Sequence, residues 1–106
     1  MAKYLIKANY NQSGLTGLLA EGGSSRRAAL TNTIESLGGS LEALYYAFGD
    51  TDLYAIADLP DVASAAAFSL QVSAAGAIDV DMTVLVTPEA VDEASKKELS
   101  YRPPGD

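Results

Sequence analysis

Asp50 and Asp52 are the two side chains best placed for acid–base chemistry, since only one residue separates them. Two neighbouring carboxylates move each other's pKa values apart, so they can share a proton, and together they can bind a divalent cation. Aspartate is also a favoured turn residue, and the further acidic residues of a calcium-binding loop do not follow. The pattern therefore favours a turn, with Asp52 the stronger candidate for a functional contact.

Three aromatic side chains and one amide lie near the predicted ends of strands: Asn9, Tyr10, Tyr46 and Phe48. Around a cavity, such side chains would suit an apolar ligand that carries one polar group. They would suit a packed core or a subunit interface equally well. The residues alone leave both interpretations open.

Arg26 and Arg27 lie where a helix is predicted to begin. The positive end of the helix dipole makes a cation unfavourable there by roughly 0.3–1 kcal/mol, so an anionic ligand or a partner carboxylate is one explanation for the pair. A surface ion pair with an acidic residue of another element is the simpler one. We take Arg27 as a candidate ligand contact and assign no catalytic residue. The candidate ligand-binding residues are then Asn9, Tyr10, Arg27, Tyr46, Phe48 and Asp52.

The chain contains neither cysteine nor histidine, which removes several classes of site. Disulfides, thiolate nucleophiles and cysteine-ligated metals are excluded, and the commonest general base and haem ligand are missing. The glycine pairs fit neither a dinucleotide-binding nor a phosphate-binding motif. We therefore expect no metal and no cofactor. The net charge of −7 would repel a phosphate backbone, so we expect no nucleic-acid partner.

The length of 106 residues suits one domain, which we predict over residues 1–100, with a flexible tail over 101–106. The hydrophobic fraction of 48% and the charged fraction of 20% are typical of globular proteins. No apolar run reaches the ~20 residues of a membrane helix, and the first ten residues alternate in polarity, unlike a signal peptide. These features predict an acidic, cytoplasmic protein that has no membrane partner.

Hydrophobic periodicity and turn residues predict four strands and four helices. The strands are expected at 3–10, 41–48, 53–59 and 78–86, and the helices at 15–21, 26–37, 60–75 and 88–99. Residues 11–14 are predicted to form a turn, Ser24 or Ser25 to cap the second helix, and Gly38 to end it. The order βαββαβ plus a C-terminal helix predicts an α+β, ferredoxin-like domain with a four-stranded antiparallel sheet and its helices on one face.

The second face of this predicted sheet is also apolar. Residues 53–57 are apolar at every position. Alternation along 41–48 places apolar residues on both faces: Leu41, Ala43, Tyr45 and Ala47 on one, and Leu44, Tyr46 and Phe48 on the other. Monomers rarely expose a large apolar patch, so we predict that a second copy pairs with the chain, sheet against sheet, in a homodimer or larger homo-oligomer. The alternative is that the C-terminal helix folds over this face.

Six segments carry a resemblance to a known family: YLIKANY at 4–10, GLLAEGG at 17–23, RR at 26–27, LGG at 37–39, YYAFGD at 45–50 and LVTPE at 85–89. In this order and spacing the chain resembles the GYD-domain family of the dimeric α/β-barrel superfamily, over roughly residues 3–94. The Gly-Tyr-Asp signature of the family corresponds to Gly49, Thr51 and Asp52, so threonine replaces the tyrosine.

The resemblance implies paired sheets and a pocket between each sheet and its helices. The family has no settled biochemical role, and the superfamily includes cofactor-independent monooxygenases, isomerases and haem enzymes. Our first hypothesis is therefore a homo-oligomeric module that binds a small apolar ligand or has a regulatory role. The alternative is a cofactor-independent enzyme of the monooxygenase or isomerase type, acting on a small apolar or aromatic substrate, with Asp52 or a tyrosine as proton acceptor. A closed pocket and its polar lining would distinguish these hypotheses.

Overall fold

The computed structural model describes all residues from Met1 to Asp106. Four strands and four helices follow one another along the chain, and their order agrees with the sequence prediction. They are β1 (Ala2–Tyr10), α1 (Gln12–Glu21), α2 (Gly23–Ser36), β2 (Ser40–Tyr46), β3 (Leu53–Leu59), α3 (Val62–Ala74), β4 (Ile78–Leu85) and α4 (Pro88–Ser95). None of the helices has the length and apolar character needed to cross a membrane.

The strands form one sheet in the order β2-β3-β1-β4, and every neighbouring pair is antiparallel. The α+β class and the four-stranded antiparallel sheet are therefore confirmed, and the arrangement is consistent with a ferredoxin-like fold. Strand β1 lies between β3 and β4, so its side chains occupy the middle of both sheet faces.

The hydrophobic core lies between one face of the sheet and helices α2 and α3. Alternate residues of β1 and β3 are buried there, as the period of two in a strand requires. They pack against Ile34 of α2 and against Ala65 and Phe68 of α3. Small side chains on β3, such as Ala55 and Ala57, let the helices lie close to the sheet.

The predicted turn at residues 11–14 is wrong, because α1 begins at Gln12. Asn11 is the N-cap of this helix, and its side-chain oxygen accepts a hydrogen bond from the Gly14 N–H at 2.9 Å. The Asn11 backbone N–H donates to the Ala77 carbonyl at 3.0 Å, and its side-chain amide donates to the Gly76 carbonyl. Asn11 thus joins the end of β1 to the turn before β4.

The predicted serine cap of α2 is also wrong. This helix begins at Gly23, and its N-cap is Gly22, whose φ of 88° lies in the left-handed region that glycine tolerates. Gly22 is therefore both the C-cap of α1 and the N-cap of α2. Ser24 and Ser25 lie within the first turn of the helix and cap nothing.

Strand β2 differs from its prediction in its faces and in its end. A register shift between Leu41 and Ala43 puts Leu41 on the core side with Leu44 and Tyr46, so the strict alternation predicted for this strand is wrong. The strand ends at Tyr46. Phe48 has a φ of 56°, a left-handed conformation that cannot continue a strand.

The C-terminal helix α4 does not cover the free face of the sheet, so the alternative to self-association is not realised in this chain. The N-cap of α4 is Thr87, whose hydroxyl accepts from the Ala90 N–H at 3.1 Å, and the helix ends at Ser95 and not at the predicted residue 99. Residues 86–106 are all exposed. One side of α4 carries Ala90, Val91 and Ala94, and the opposite side is acidic.

Helix α2 ends in a Schellman motif that brings the chain against β3. The Gly38 N–H donates to the Glu35 carbonyl at 2.9 Å and the Gly39 N–H donates to the Ile34 carbonyl at 3.0 Å. Gly38 has a φ of 83°, which confirms the predicted left-handed end. A Cβ on Gly39 would lie 2.1 Å from the Asp58 carbonyl oxygen, so this position admits no side chain.

Replacing Gly39 with alanine is expected to lower the free energy of unfolding by about 1–3 kcal/mol, because β3 or the helix end must move to make room. Urea denaturation measures the change. Gly49→Ala is the matched control, since nothing lies within 4 Å of its Cβ position. Equal stability of the two variants would show that the close contact between Gly39 and β3 is absent.

Candidate ligand-binding cavity

An apolar cavity of about 80 Å³ lies between the sheet and the helices. Nine of its eleven lining residues are hydrophobic, and arginine and threonine supply the other two. The lining comes from three strands and from α2 and α3, and consists of Ile6, Ala8, Tyr10, Arg26, Leu30, Thr33, Leu53, Phe68, Val72, Ile78 and Val80. The cavity is therefore part of the layer in which the core lies.

The periodicity of each element places its residues at the cavity. Every second residue of β1 faces the helices, which brings Ala8 and Tyr10 to the cavity, and the small side chain of Ala8 fills little of the space beneath the helices. In α2, Arg26 and Leu30 are four residues apart and lie on one side of the helix. Phe68 and Val72, the two lining residues of α3, are also four residues apart. Regular secondary structure thus positions nearly the whole lining.

Tyr10 and Arg26 are the polar groups that the cavity offers to a ligand. Burial raises the pKa of the Tyr10 hydroxyl, and the neighbouring Tyr46 adds to this, whereas the Arg26 charge acts in the opposite direction. Arg26 also lies 3.7 Å from the Glu21 carboxylate, a distance too long for a hydrogen bond. The Thr33 hydroxyl donates to the Ala29 carbonyl at 3.0 Å, so its proton is already used within α2.

The aromatic candidates Tyr46 and Phe48 lie together beside the cavity and do not line it. Their rings stack with centroids 5.7 Å apart and planes 7° from parallel. The Tyr46 hydroxyl donates to the Gly23 carbonyl at 3.2 Å, which ties β2 to the start of α2. Of the four residues predicted to surround a pocket, Tyr10 alone lines the cavity.

Asp52 and Asn9 form a polar network that joins the β2–β3 loop to the end of β1. The Asp52 carboxylate accepts from the Tyr10 backbone N–H at 2.9 Å. The Asp52 N–H donates to the Ala8 carbonyl and to the Asn9 side-chain oxygen, each at 3.1 Å. Thr51, the residue before Asp52, is buried. The position equivalent to the signature tyrosine is therefore part of the packed loop.

Arg26, and not Arg27, faces the cavity. Arg27 lies on the neighbouring side of α2, next to Leu44 and Tyr45 of β2. Arg27, the predicted ligand contact, therefore does not line this cavity. The sequence pattern does not distinguish the two arginines, because Arg26 and Arg27 both lie at helical spacing from Leu30 and Ile34, the apolar stripe of the helix.

The other aspartates of the sheet and of the β2–β3 loop form no metal-binding group. Asp79 and Asp81 are exposed on β4, an edge strand of the sheet, and Asp50 is exposed in the β2–β3 loop. The chain brings together no group of three or more acidic side chains that could hold a metal ion. Charged residues on an edge strand are a common means of protecting that edge.

A four-stranded antiparallel sheet, helices on one of its faces and an apolar cavity between the two layers define a two-layer α+β domain, an arrangement consistent with the ferredoxin-like type. The family model of the GYD domain matches residues 4–95, nearly the whole chain, and the protein belongs to this family. The resemblance predicted from the sequence is thereby confirmed. No curated protein and no solved structure matches the chain.

Replacing Asp52 with alanine is expected to lower the free energy of unfolding by about 1–3 kcal/mol, because the Tyr10 N–H loses its acceptor. Hydrogen exchange of the Tyr10 amide should accelerate in parallel. Asp50→Ala removes an equivalent charge from the same loop without removing a hydrogen bond, and should leave both measurements unchanged. If Tyr10 exchange were the same in the two variants, the Asp52 carboxylate would have no role in holding β1.

Proposed function

We propose that this GYD-family protein is a homodimeric small-ligand-binding module of the dimeric α/β-barrel type, in which each chain holds a small apolar ligand between its sheet and helices. The observation that carries this proposal is the apolar cavity of about 80 Å³. Binding sites for small molecules are typically apolar and concave, with a few polar groups that orient the ligand. Tyr10 and Arg26 would supply those groups here.

The size of the cavity limits its ligand. An engineered apolar cavity of about 150 Å³ binds benzene, so a space of about 80 Å³ suits a smaller group unless flanking side chains move. Leu30 and Val72 are only partly buried and border the space, so they are free to adjust. A short aliphatic chain is therefore the expected occupant.

Binding without catalysis is favoured because the candidate proton acceptors are poorly suited to that role. The Asp52 carboxylate accepts a backbone hydrogen bond at the end of β1 and does not line the cavity. Tyr10 does line it, but burial raises the pKa of its hydroxyl, which keeps the phenol protonated. A protonated phenol orients a ligand by donating a hydrogen bond and does not act as a base.

The dimer in this proposal rests on the composition of the free sheet face. Tyr45 is 73% exposed and Tyr54 is 38% exposed, and the two are directly paired across β2 and β3. Leu5 and Ile56, paired across β1 and β3, lie on the same face. Exposed apolar surface of this kind typically marks an interaction site, and isologous pairing of two identical faces is its commonest form.

Charged residues adjoin the apolar residues of this face, and Lys7 of the inner strand β1 pairs in register with Tyr54. Lys3 pairs with Glu42 and lies 3.2 Å from Asp58 within the chain. Lys7 pairs in register with Asp81 of the edge strand β4. The exposed apolar side of α4 would be available to the same partner.

Replacing Tyr54 with aspartate is expected to convert the dimer to a monomer, because the substitution puts a charge at the centre of the paired faces. Light scattering during size-exclusion chromatography gives the mass. Leu70→Asp is the control, since Leu70 is 70% exposed on the outer side of α3, away from the sheet. A monomeric wild-type protein, or a Tyr54→Asp variant of unchanged mass, would contradict the sheet-to-sheet dimer.

Replacing Val72 with phenylalanine is expected to fill the cavity and to abolish xenon binding while the fold is retained. Xenon enters dry apolar cavities, and its binding shifts the NMR signals of lining residues such as Ala8. Leu70→Phe adds the same ring on the exposed side of α3 and should leave the response to xenon intact. If wild-type protein showed no response, the cavity that carries the proposed function would be closed in solution.

A further inference from the structure

We propose that the cavity selects a small apolar anion, in which a carboxylate binds Arg26 and the aliphatic part occupies the apolar space. This inference rests on the proposed function, because it names the chemical class of the ligand for the same cavity. It is carried by the composition of the lining, in which Arg26 is the one charged residue and no acidic residue takes part.

The positive charge of Arg26 is opposite in sign to the net charge of the protein. The whole chain carries a net charge of −7, yet Arg26 is the one charged residue that lines this apolar cavity. A guanidinium has five N–H donors in a planar fork that matches a carboxylate. Next to an apolar space, where water screens charge less, such a contact discriminates strongly between an anion and a neutral group.

The guanidinium retains donors for a ligand. Its ion pair with Glu21 spans 3.7 Å, and the two side chains are 32% and 50% exposed, so the pair is loose and solvated. Arg26 also lies in the first turn of α2, which contains no acidic residue to balance the positive helix end. A ligand carboxylate would compensate both charges and would compete with Glu21 for Arg26.

Tyr10 supplies a second donor. Its hydroxyl is close enough to Arg26 for the arginine charge to influence its ionisation, and burial keeps it protonated at neutral pH. A protonated phenol is neutral, so it donates a hydrogen bond to a carboxylate oxygen without repelling the anion. Arginine and tyrosine together thus present donors at one end of a space that is otherwise apolar.

The test compares isovalerate with isovaleramide, two probes of nearly the same shape that differ in charge. Two-dimensional NMR titrations of the full chain give both affinities. We expect isovalerate to bind at least tenfold more tightly, and Arg26→Gln to reduce its affinity to that of the amide. Arg26→Lys, which keeps the charge but not the fork, should retain part of the preference. Glu21→Gln should strengthen isovalerate binding, because it removes the competing carboxylate.

Arg27→Gln is the matched control, since it removes the same charge from the neighbouring residue outside the cavity. It should leave the preference for isovalerate unchanged. Equal binding of the two probes, or equal losses in Arg26→Gln and Arg27→Gln, would overturn the assignment of an anion to Arg26. A xenon response in the same sample would then show that the cavity of the proposed function still exists, whereas its absence would overturn both proposals.

Discussion

The side-chain alternation of the central strand β1 is the constraint on which the rest of the structure depends. Because β1 pairs with both β3 and β4, its register places Tyr4, Ile6 and Ala8 in the core and Leu5 and Lys7 on the free face. A shift of one residue would exchange these two sets. The core, the cavity and the free sheet face are therefore all consequences of one strand, and the Asn9, Asn11 and Asp52 contacts at its end hold that strand in place.

Much of this fold could be predicted from the sequence, because several of its signals are local. The strand at 53–59 was predicted with the observed bounds, since turn residues enclose a short apolar run. The Schellman motif at the end of α2 could be predicted from a glycine pair that follows an apolar stripe. Asn11 was misinterpreted because an asparagine before serine and glycine suits a turn as well as a helix cap.

The candidate site was harder to predict, because a cavity is defined by elements that are distant in the sequence. The bulge in β2 follows from its pairing with β3, which the alternation of β2 alone does not contain. Aspartate is a residue type that often acts in catalysis, yet the Asp52 carboxylate accepts a hydrogen bond from the backbone of β1. Arg26 and Arg27 both lie at helical spacing from Leu30 and Ile34, so only the packing of α2 against the sheet shows which of them borders the cavity.

The two edges of the sheet determine how copies of this chain avoid uncontrolled association. The bulge between Leu41 and Ala43 interrupts the hydrogen-bonding pattern of β2, and the aspartates at 79 and 81 would repel each other if two β4 strands were joined. Neither edge is therefore a good template for an added strand, and continuous sheets of many chains are disfavoured. Association through the edges is therefore less favourable than association through the broad face of the sheet, which remains exposed.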